Sequence, residues 1–226
     1  TGITALKLTA LGRPQMLRQL SEVITRARQY MNNLVGGDGG VILRQTSVKD
    51  LKKRLSKVGD KAEVKKFLKN VTSDSKGIVH LFPWTGIINK KSELSSSFKV
   101  PDPNTGKMQT LISQITAEEE EMFRNMISRL KTICQAASDC NVRVMIDAEH
   151  TYFQAAISRI CIELMRIYNT EKAVILNTYQ CYLRATYQEV CNDLEQAKRQ
   201  NFLFGAKLVR GAYMDQERAR AKELGN

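Results

Sequence analysis

The stretch VRVMIDAEHTY, residues 142–152, joins an apolar run directly to a cluster of charge. Its first half, which ends at Ile146, has the composition of a short buried β-strand. Asp147, Glu149 and His150 follow at once, without a turn signal between them and the strand. A buried strand that ends in two carboxylates and an imidazole predicts a functional site at its carboxyl end.

The same order of strand and helix recurs after this stretch. Strand-like runs are predicted near residues 143–148, 173–178 and 204–210, and an amphipathic helical pattern separates each from the next. A fourth run of this kind lies near residues 3–9. Strands that alternate with helices at this spacing are typical of βαβ units with a parallel sheet. Their nearly continuous apolar character fits parallel strands that are covered on both faces.

Polar side chains gather at the carboxyl ends of these four runs. In α/β barrels and doubly wound sheets, that edge of the sheet carries the binding site. Four successive strands that end in this way therefore predict a shared site. The side chains are Lys7, Asp147, Glu149, Gln180, Lys207, Arg210 and Tyr213.

Residues 13–100 follow another pattern, in which a helix, a glycine-containing turn, a short apolar strand and a second helix occur twice. This order resembles a pair of EF-hands. The loops are poor calcium sites, because the second would place Pro83 where a bidentate glutamate is required and the first offers only Asp38 among four glycines. A degenerate EF-hand-like insert without a metal is therefore predicted. Residues 101–140 are predicted to be a polar connector followed by a helix with acidic residues in its first turn.

Composition narrows the class of protein. The 226 residues are 42% hydrophobic and 26% charged, and no apolar run approaches the length of a membrane span. The first ten residues do not read as a secretory signal, and we expect that a leader or further sequence precedes Thr1. Five cysteines without a CxxC pair argue against structural zinc and against a disulfide framework, and they favour a reducing compartment.

Most of the net charge of +12 lies in one segment. Residues 44–99 contain 14 basic and 5 acidic residues, which accounts for +9 of the total. The lysines fall on the polar side of helical repeats with few aromatic residues between them, and this favours a solvated helix face. Contact with an anionic membrane surface is the second interpretation, and nucleic acid is not expected as a partner.

Four motifs, in this order, resemble the proline dehydrogenase (proline oxidase) family, in particular its animal mitochondrial form: LKLTALG, MIDAEHTYFQ, NTYQCYL and FGAKLVRGAYMDQERARA. The resemblance covers essentially the whole chain. It implies an α/β fold, a distorted (β/α)8 TIM-type barrel whose first strand lies in residues 1–12 and whose units two to four lie in residues 141–226. The EF-hand-like insert would then lie between the first and second barrel strands.

The resemblance also implies a function. Members of this family oxidise L-proline to 1-pyrroline-5-carboxylate with FAD, the first step of proline catabolism to glutamate. Electrons pass to ubiquinone, and the resemblance to the mitochondrial form implies a location on the matrix side of the inner membrane. Association with that membrane surface is motivated only by the positive charge of residues 44–99.

Three residues match family positions beside the substrate. Lys7 matches the lysine near the substrate carboxylate, for which a cation is the suitable partner. Asp147 matches the acidic residue beside the substrate pocket, and Tyr213 matches an aromatic residue that packs at the substrate and the flavin ring system. These three are the expected catalytic residues.

The expected cofactor contacts follow the later strands. Gln180 matches a flavin contact, since an amide can both donate and accept hydrogen bonds. Lys207 stands where bacterial relatives have arginine, so it keeps the positive charge near the flavin but loses the planar guanidinium. Val209, Gly211 and Ala212 are expected to bring backbone close to the flavin.

Four further residues carry weaker expectations. Glu149 fits either a support for Asp147 or a structural salt bridge, and Arg210 fits either the site or an ion pair at a helix C-terminus. His150 is expected to be a polar loop residue outside the chemistry. Thr151 is expected to be the N-cap of the following helix.

A barrel of this kind needs eight strands, and four are identified. In the family, the later strands supply the arginine pair that clamps the proline carboxylate and much of the FAD site. We therefore expect this chain to be a fragment or truncated isoform with little or no activity alone. Two alternatives remain open: a trans-4-hydroxyproline dehydrogenase, and a non-catalytic isoform or EF-hand-like interaction module.

Overall fold

Four strands form a parallel sheet in the computed structural model of the chain, which describes residues 2–35, 46–70, 77, 79, 87–88, 93–94, 98–112 and 115–225. Each of the four predicted strands is present in this sheet. They are β1 (Gly2–Leu6), β4 (Val142–Ile146), β5 (Ile175–Gln180) and β6 (Ala206–Val209), and a separate hairpin contains β2 (Lys99–Pro101) and β3 (Met108–Thr110).

Seven α-helices occur in the described residues, and the predicted helical patterns account for them. They are α1 (Pro14–Val35), α2 (Val48–Arg54), α3 (Lys61–Asn70), α4 (Ala117–Asp139), α5 (Thr151–Tyr168), α6 (Thr186–Gln200) and α7 (Met214–Glu223). The acidic first turn of α4 includes a capping box, in which Thr116 and Glu119 satisfy each other's backbone N–H groups. None of the helices in the described ranges has both the length and the apolar character that a membrane crossing requires.

The strands of the sheet lie in the order β1-β4-β5-β6, and every neighbouring pair is parallel. Each strand is therefore added on the same side of the one before it. A doubly wound sheet reverses direction at a switch point, and no reversal occurs among these four strands. The parallel α/β fold is confirmed to this extent.

One face of the sheet is packed against helices. Val144, Ile146 and Ile175 are fully buried there, together with apolar residues of α5 and the first half of α1. The hydroxyl of Tyr179 on this face donates to Asp193 of α6 at 2.8 Å, and burial raises the pKa of that carboxyl to about 6. Because side chains alternate along a strand, Thr178 and Gln180 point to the opposite face.

The second half of α1 belongs to a smaller apolar cluster with α2 and α3. Leu51, Val58 and Phe67 lie in this cluster, and the ring of Tyr30 meets Phe67 edge-on at 6.1 Å. Helix α1 therefore contributes to both cores, although it lies inside the segment predicted as an insert.

Two backbone hydrogen bonds join short segments of the predicted EF-hand-like insert. The N–H of Val48 donates to Gly77 O at 2.9 Å, and the N–H of Val79 donates to Thr46 O at 2.7 Å. The first predicted loop, with Asp38, lies outside the described residues, and so does the second, with Pro83, except for Gly77 and Val79. The degenerate EF-hand pair remains a prediction.

The β2–β3 hairpin lies in the stretch predicted as a polar connector, where no strand was predicted. Lys99 pairs with Thr110 and Pro101 with Met108, and Gly106 closes the turn with a φ of +70°. Asp102 supports the turn by accepting hydrogen bonds from the N–H of Asn104 and the hydroxyl of Thr105. The turn residues do indicate a turn, but the flanking strands are too short to show the alternation of apolar and polar residues that marks a strand.

Asn169, at the end of α5, joins three segments at the amino side of the sheet. Its buried amide nitrogen donates to Ile175 O at 2.8 Å and to Leu203 O at 2.9 Å. Its amide oxygen accepts from the N–H groups of Val174, at 3.0 Å, and Ile175, at 2.8 Å. One side chain thus fixes where β5 starts relative to α5 and to the loop before β6.

The substitution Asn169→Ala is expected to lower the free energy of unfolding by about 3 kcal/mol, because it leaves several buried backbone groups without partners. Urea-induced unfolding followed by circular dichroism measures this. Asn125→Ala, an exposed position on α4, is the matched control and should change stability by less than about 0.5 kcal/mol. A loss below about 1 kcal/mol for Asn169→Ala would contradict this role.

Candidate active site

The carboxyl ends of the four parallel strands bring the predicted site residues to one edge. Ile146 is paired with Leu6 and with Asn177, so the next residue of each strand continues the same register. Thr178 is paired with Lys207. Asp147, Thr178 and Lys207 therefore lie in one row across three strands.

Asp147 and Lys207 form an ion pair in this row. The Nζ atom of Lys207 lies 2.7 Å from Oδ1 of Asp147. The side chain of Lys207 is 31% exposed and that of Asp147 is 21% exposed. The N–H of Asp147 donates to Leu6 O at 2.9 Å, which continues the pairing of β4 with β1 beyond the strands themselves. The structure thus joins two predicted residues that lie 60 positions apart in the sequence.

Gln180 follows Thr178 by two residues toward the carboxyl end of β5, on the same face, and is 3% exposed. Its amide nitrogen donates to the carbonyl oxygen of Glu149 at 3.1 Å and to the hydroxyl of Tyr182 at 2.7 Å. Its Oε1 atom is buried without a partner among the described residues, and so is the hydroxyl of Thr178. Buried polar atoms are normally paired, so these two oxygens indicate where a polar ligand group would bind.

Glu149 supports the site through a neutral partner. Its carboxylate accepts hydrogen bonds from the hydroxyl of Thr9 at 2.7 Å and from the N–H of Thr9 at 3.3 Å. It forms no ion pair with any cation in the described ranges, so the salt-bridge alternative does not hold there. The carboxylate ties the segment after β1 to the segment after β4.

An aromatic cluster closes one side of the edge. The ring of His150 stacks on Tyr152 at a centroid distance of 5.1 Å and meets the ring of Tyr213 at 4.7 Å. His150 is the N-cap residue of α5 and makes no side-chain cap bond, so the expectation that Thr151 is the N-cap was wrong. Thr151 is the first helical residue, and its hydroxyl instead bonds Glu217.

Comparison with known proteins identifies the family. A family model described as proline dehydrogenase matches residues 43–226. Proline dehydrogenase 1, mitochondrial, of Drosophila melanogaster is 66% identical over 225 residues, which cover 100% of this chain and 33% of that protein. The protein of the same name from Caenorhabditis elegans is 46% identical over 227 residues, covering 99% of this chain and 37% of its own.

The chain belongs to the proline dehydrogenase family. The predicted resemblance, including the animal mitochondrial type, is confirmed. The chain spans about a third of the length of the curated relatives it matches. A hydroxyproline dehydrogenase of Xenopus laevis is 39% identical over 117 residues, or 52% of this chain and 25% of that protein. The similarity to hydroxyproline dehydrogenases is thus weaker and less extensive.

Several residues expected from the family are present at the edge but exposed. Lys7 follows β1 directly and its side chain is exposed, so it does not lie inside a strand as the sequence suggested. Arg210, Gly211 and Ala212 are also exposed, while Val209 is half-buried. A Cβ atom added to Gly211 would meet nothing within 4 Å, so backbone at this position is open to a ligand.

Sequence reasoning missed Thr178 and Tyr182. Thr178 lies inside an apolar strand, and its position beside Lys207 depends on the register of β5 with β6. Tyr182 follows Gln180 by two residues in a motif that the family resemblance includes, and this proximity was the one available signal.

A double-mutant cycle with Asp147→Asn and Lys207→Met is expected to give a coupling energy of about 1 kcal/mol in unfolding free energy, because the pair is partly shielded from water. The exposed pair Arg18–Glu22, at 3.5 Å, is the matched control. Its cycle should give less than about 0.5 kcal/mol. Equal coupling in the two cycles would contradict a shielded pair at the strand ends.

Proposed function

We propose that the complete enzyme containing this chain oxidises L-proline to 1-pyrroline-5-carboxylate with FAD as its cofactor. The observation that carries the proposal is the Asp147–Lys207 ion pair beside the buried amide of Gln180, at the carboxyl edge of a parallel sheet. Membership of the proline dehydrogenase family supports the choice of substrate.

The four parallel strands are proposed to be part of a (β/α)8 barrel. The sheet progresses in one direction, as a barrel wall does, and β1 and β6 are its two edges. Ile3 on β1 is 60% exposed and Leu208 on β6 is 65% exposed, so both outer strands present apolar side chains that further barrel elements would cover. On this basis the 226 residues alone are expected to turn over little or no proline.

The residues at the edge fit a flavin. The unpartnered Oε1 of Gln180 is an acceptor for an N–H group of the ring system, and Lys207 supplies positive charge beside it. The exposed backbone at Gly211 and Ala212 leaves room for close approach. When bound, FAD accepts the hydride that leaves the ring carbon next to the proline nitrogen.

The remaining side chains fit proline. Lys7, an exposed cation at the end of β1, suits the substrate carboxylate. Tyr213 offers an aromatic surface for the ring, and His150 packs against Tyr213. Asp147 holds the ammonium group of Lys207 in place through their ion pair, so the cation is oriented before a ligand binds.

Mitochondrial location is proposed from the names of the relatives, with electrons passing to ubiquinone on the matrix side of the inner membrane. A basic surface on α2, α3 and the turn between them supports contact with anionic lipid. All nine cations are exposed, and within the described ranges none forms an ion pair. They are Lys49, Lys52, Lys53, Arg54, Lys57, Lys61, Lys65, Lys66 and Lys69.

The function is tested on the natural full-length protein by flavin absorbance and by proline-dependent reduction of a quinone analogue. Lys207→Met should lower turnover by at least about tenfold, because the charge beside the flavin is lost. Lys198→Met, an exposed position on α6, should leave turnover unchanged. Proline should be a better substrate than trans-4-hydroxyproline, and the reverse order would favour the alternative enzyme. Absence of flavin would contradict the proposal.

The basic surface is tested by sedimentation with vesicles of phosphatidylcholine, with and without phosphatidylglycerol. Binding should require the anionic lipid and should disappear in about 0.5 M salt, because exposed charges are then screened. The variant Lys52→Glu/Lys66→Glu should reduce binding, and Lys198→Glu/Lys222→Glu on α6 and α7 should have little effect. Salt-insensitive binding, or no binding, would contradict a role for this surface.

A further inference from the structure

Hydrogen bonds connect the carboxyl ends of all four parallel strands in a continuous series. The series starts at Thr9 after β1, which donates to the carboxylate of Glu149 after β4. The carbonyl of Glu149 accepts from Gln180 at the end of β5, and Gln180 also donates to the hydroxyl of Tyr182. The same hydroxyl accepts from the N–H of Tyr213, after β6, at 3.2 Å.

The orientation of the Gln180 amide determines whether the hydroxyl of Tyr182 donates or accepts. Only the nitrogen can face the carbonyl of Glu149, because two oxygens at 3.1 Å would repel each other. Both amide hydrogens are then used, one by Glu149 and one by Tyr182. The phenol oxygen of Tyr182 must therefore act as the acceptor for Gln180, and it accepts from Tyr213 as well.

The backbone around Tyr182 is firmly held. The N–H of Cys181 donates to Val209 O at 2.9 Å, which extends the pairing of β5 with β6 by one residue. The carbonyl of Gln180 accepts from the N–H of Leu183 at 3.1 Å and from the hydroxyl of Thr186 at 2.6 Å. This turn folds the phenol back over Gln180, where it is half-buried.

We propose that Tyr182 is a positioning residue whose hydroxyl fixes Gln180, the proposed flavin contact, relative to Tyr213, the proposed aromatic contact of the substrate. The inference rests on the proposed function. Neither partner has another described side chain that would replace the phenol oxygen in this role. The hydroxyl thus couples the cofactor side of the edge to the substrate side.

The hydroxyl also retains its own hydrogen. With two hydrogen bonds accepted, the O–H group remains free to donate, and none of the described residues accepts from it. A donor at Tyr182 and the unpartnered acceptor at Gln180 Oε1 thus belong to two neighbouring side chains. The pair suits a ligand edge that carries a carbonyl next to an N–H group, as the pyrimidine edge of a flavin does.

The test compares Tyr182→Phe with the unmodified natural full-length protein, and Tyr187→Phe is the matched control because that side chain is 79% exposed on the neighbouring helix. Hydrogen–deuterium exchange of the peptide containing Tyr213 reports the link directly. Tyr182→Phe should accelerate exchange of the Tyr213 amide by about tenfold, since its acceptor is removed. It should also shift the visible absorption band of the bound flavin and raise KM for proline more than it lowers kcat. Tyr187→Phe should change none of these.

Unchanged exchange in Tyr182→Phe would overturn the proposal whatever the activity. Faster exchange with an unchanged flavin spectrum and unchanged KM would also overturn it, because the link would then be structural only. Failure of the unmodified protein to bind flavin would contradict the proposed function instead, and the exchange comparison would still decide whether the hydroxyl holds Tyr213.

Discussion

Asp147 and Lys207 meet because β4, β5 and β6 pair in parallel in one fixed register. Parallel strands bring all their carboxyl ends to one edge, which residues far apart in the chain then share. A slip of one residue in β5 would turn Thr178 and Gln180 toward the helices and bring Tyr179 to the site. The buried helix-side residues Val144, Ile146 and Ile175 make such a slip costly, so the apolar core determines the geometry of the polar edge.

The edge is polar at some cost to stability. The amide oxygen of Gln180 and the hydroxyl of Thr178 are buried without partners in the described part of the chain. An unpaired buried polar group costs about 1–3 kcal/mol. Sites of function are where such costs are commonly retained, because the same groups gain partners when a ligand binds. The position of these atoms, next to the ion pair, agrees with a cofactor site at the carboxyl ends of the strands.

Much of the fold could be predicted from the sequence because its signals are local. The apolar run before Asp147 and the amphipathic pattern after it identify β4 and α5 without any knowledge of their neighbours. The hairpin at residues 99–110 was missed because its strands have three residues each, too few to show an alternating pattern. The EF-hand-like loops remain a prediction, since all of their residues except Gly77 and Val79 lie outside the described residues.

The site was predictable in part. Lys207 and Gln180 come from motifs, but the ion pair with Asp147 depends on strand order, and no local pattern contains it. The roles of Thr178 and Tyr182 depend on which atoms face each other across strands, so they can be identified only once the register of the strands is known. Glu149 was left between two roles, because the sequence does not reveal that Thr9 is its partner.

The proposed function requires a flavin at the carboxyl edge of this parallel sheet. A crystal structure of the natural full-length protein with its cofactor and a non-oxidisable proline analogue would locate the ring system. It is expected within hydrogen-bond distance of Gln180 and Lys207, with the analogue's carboxylate near Lys7. A flavin bound at the amino ends of the strands, or against the face covered by α5 and α6, would contradict the proposed function.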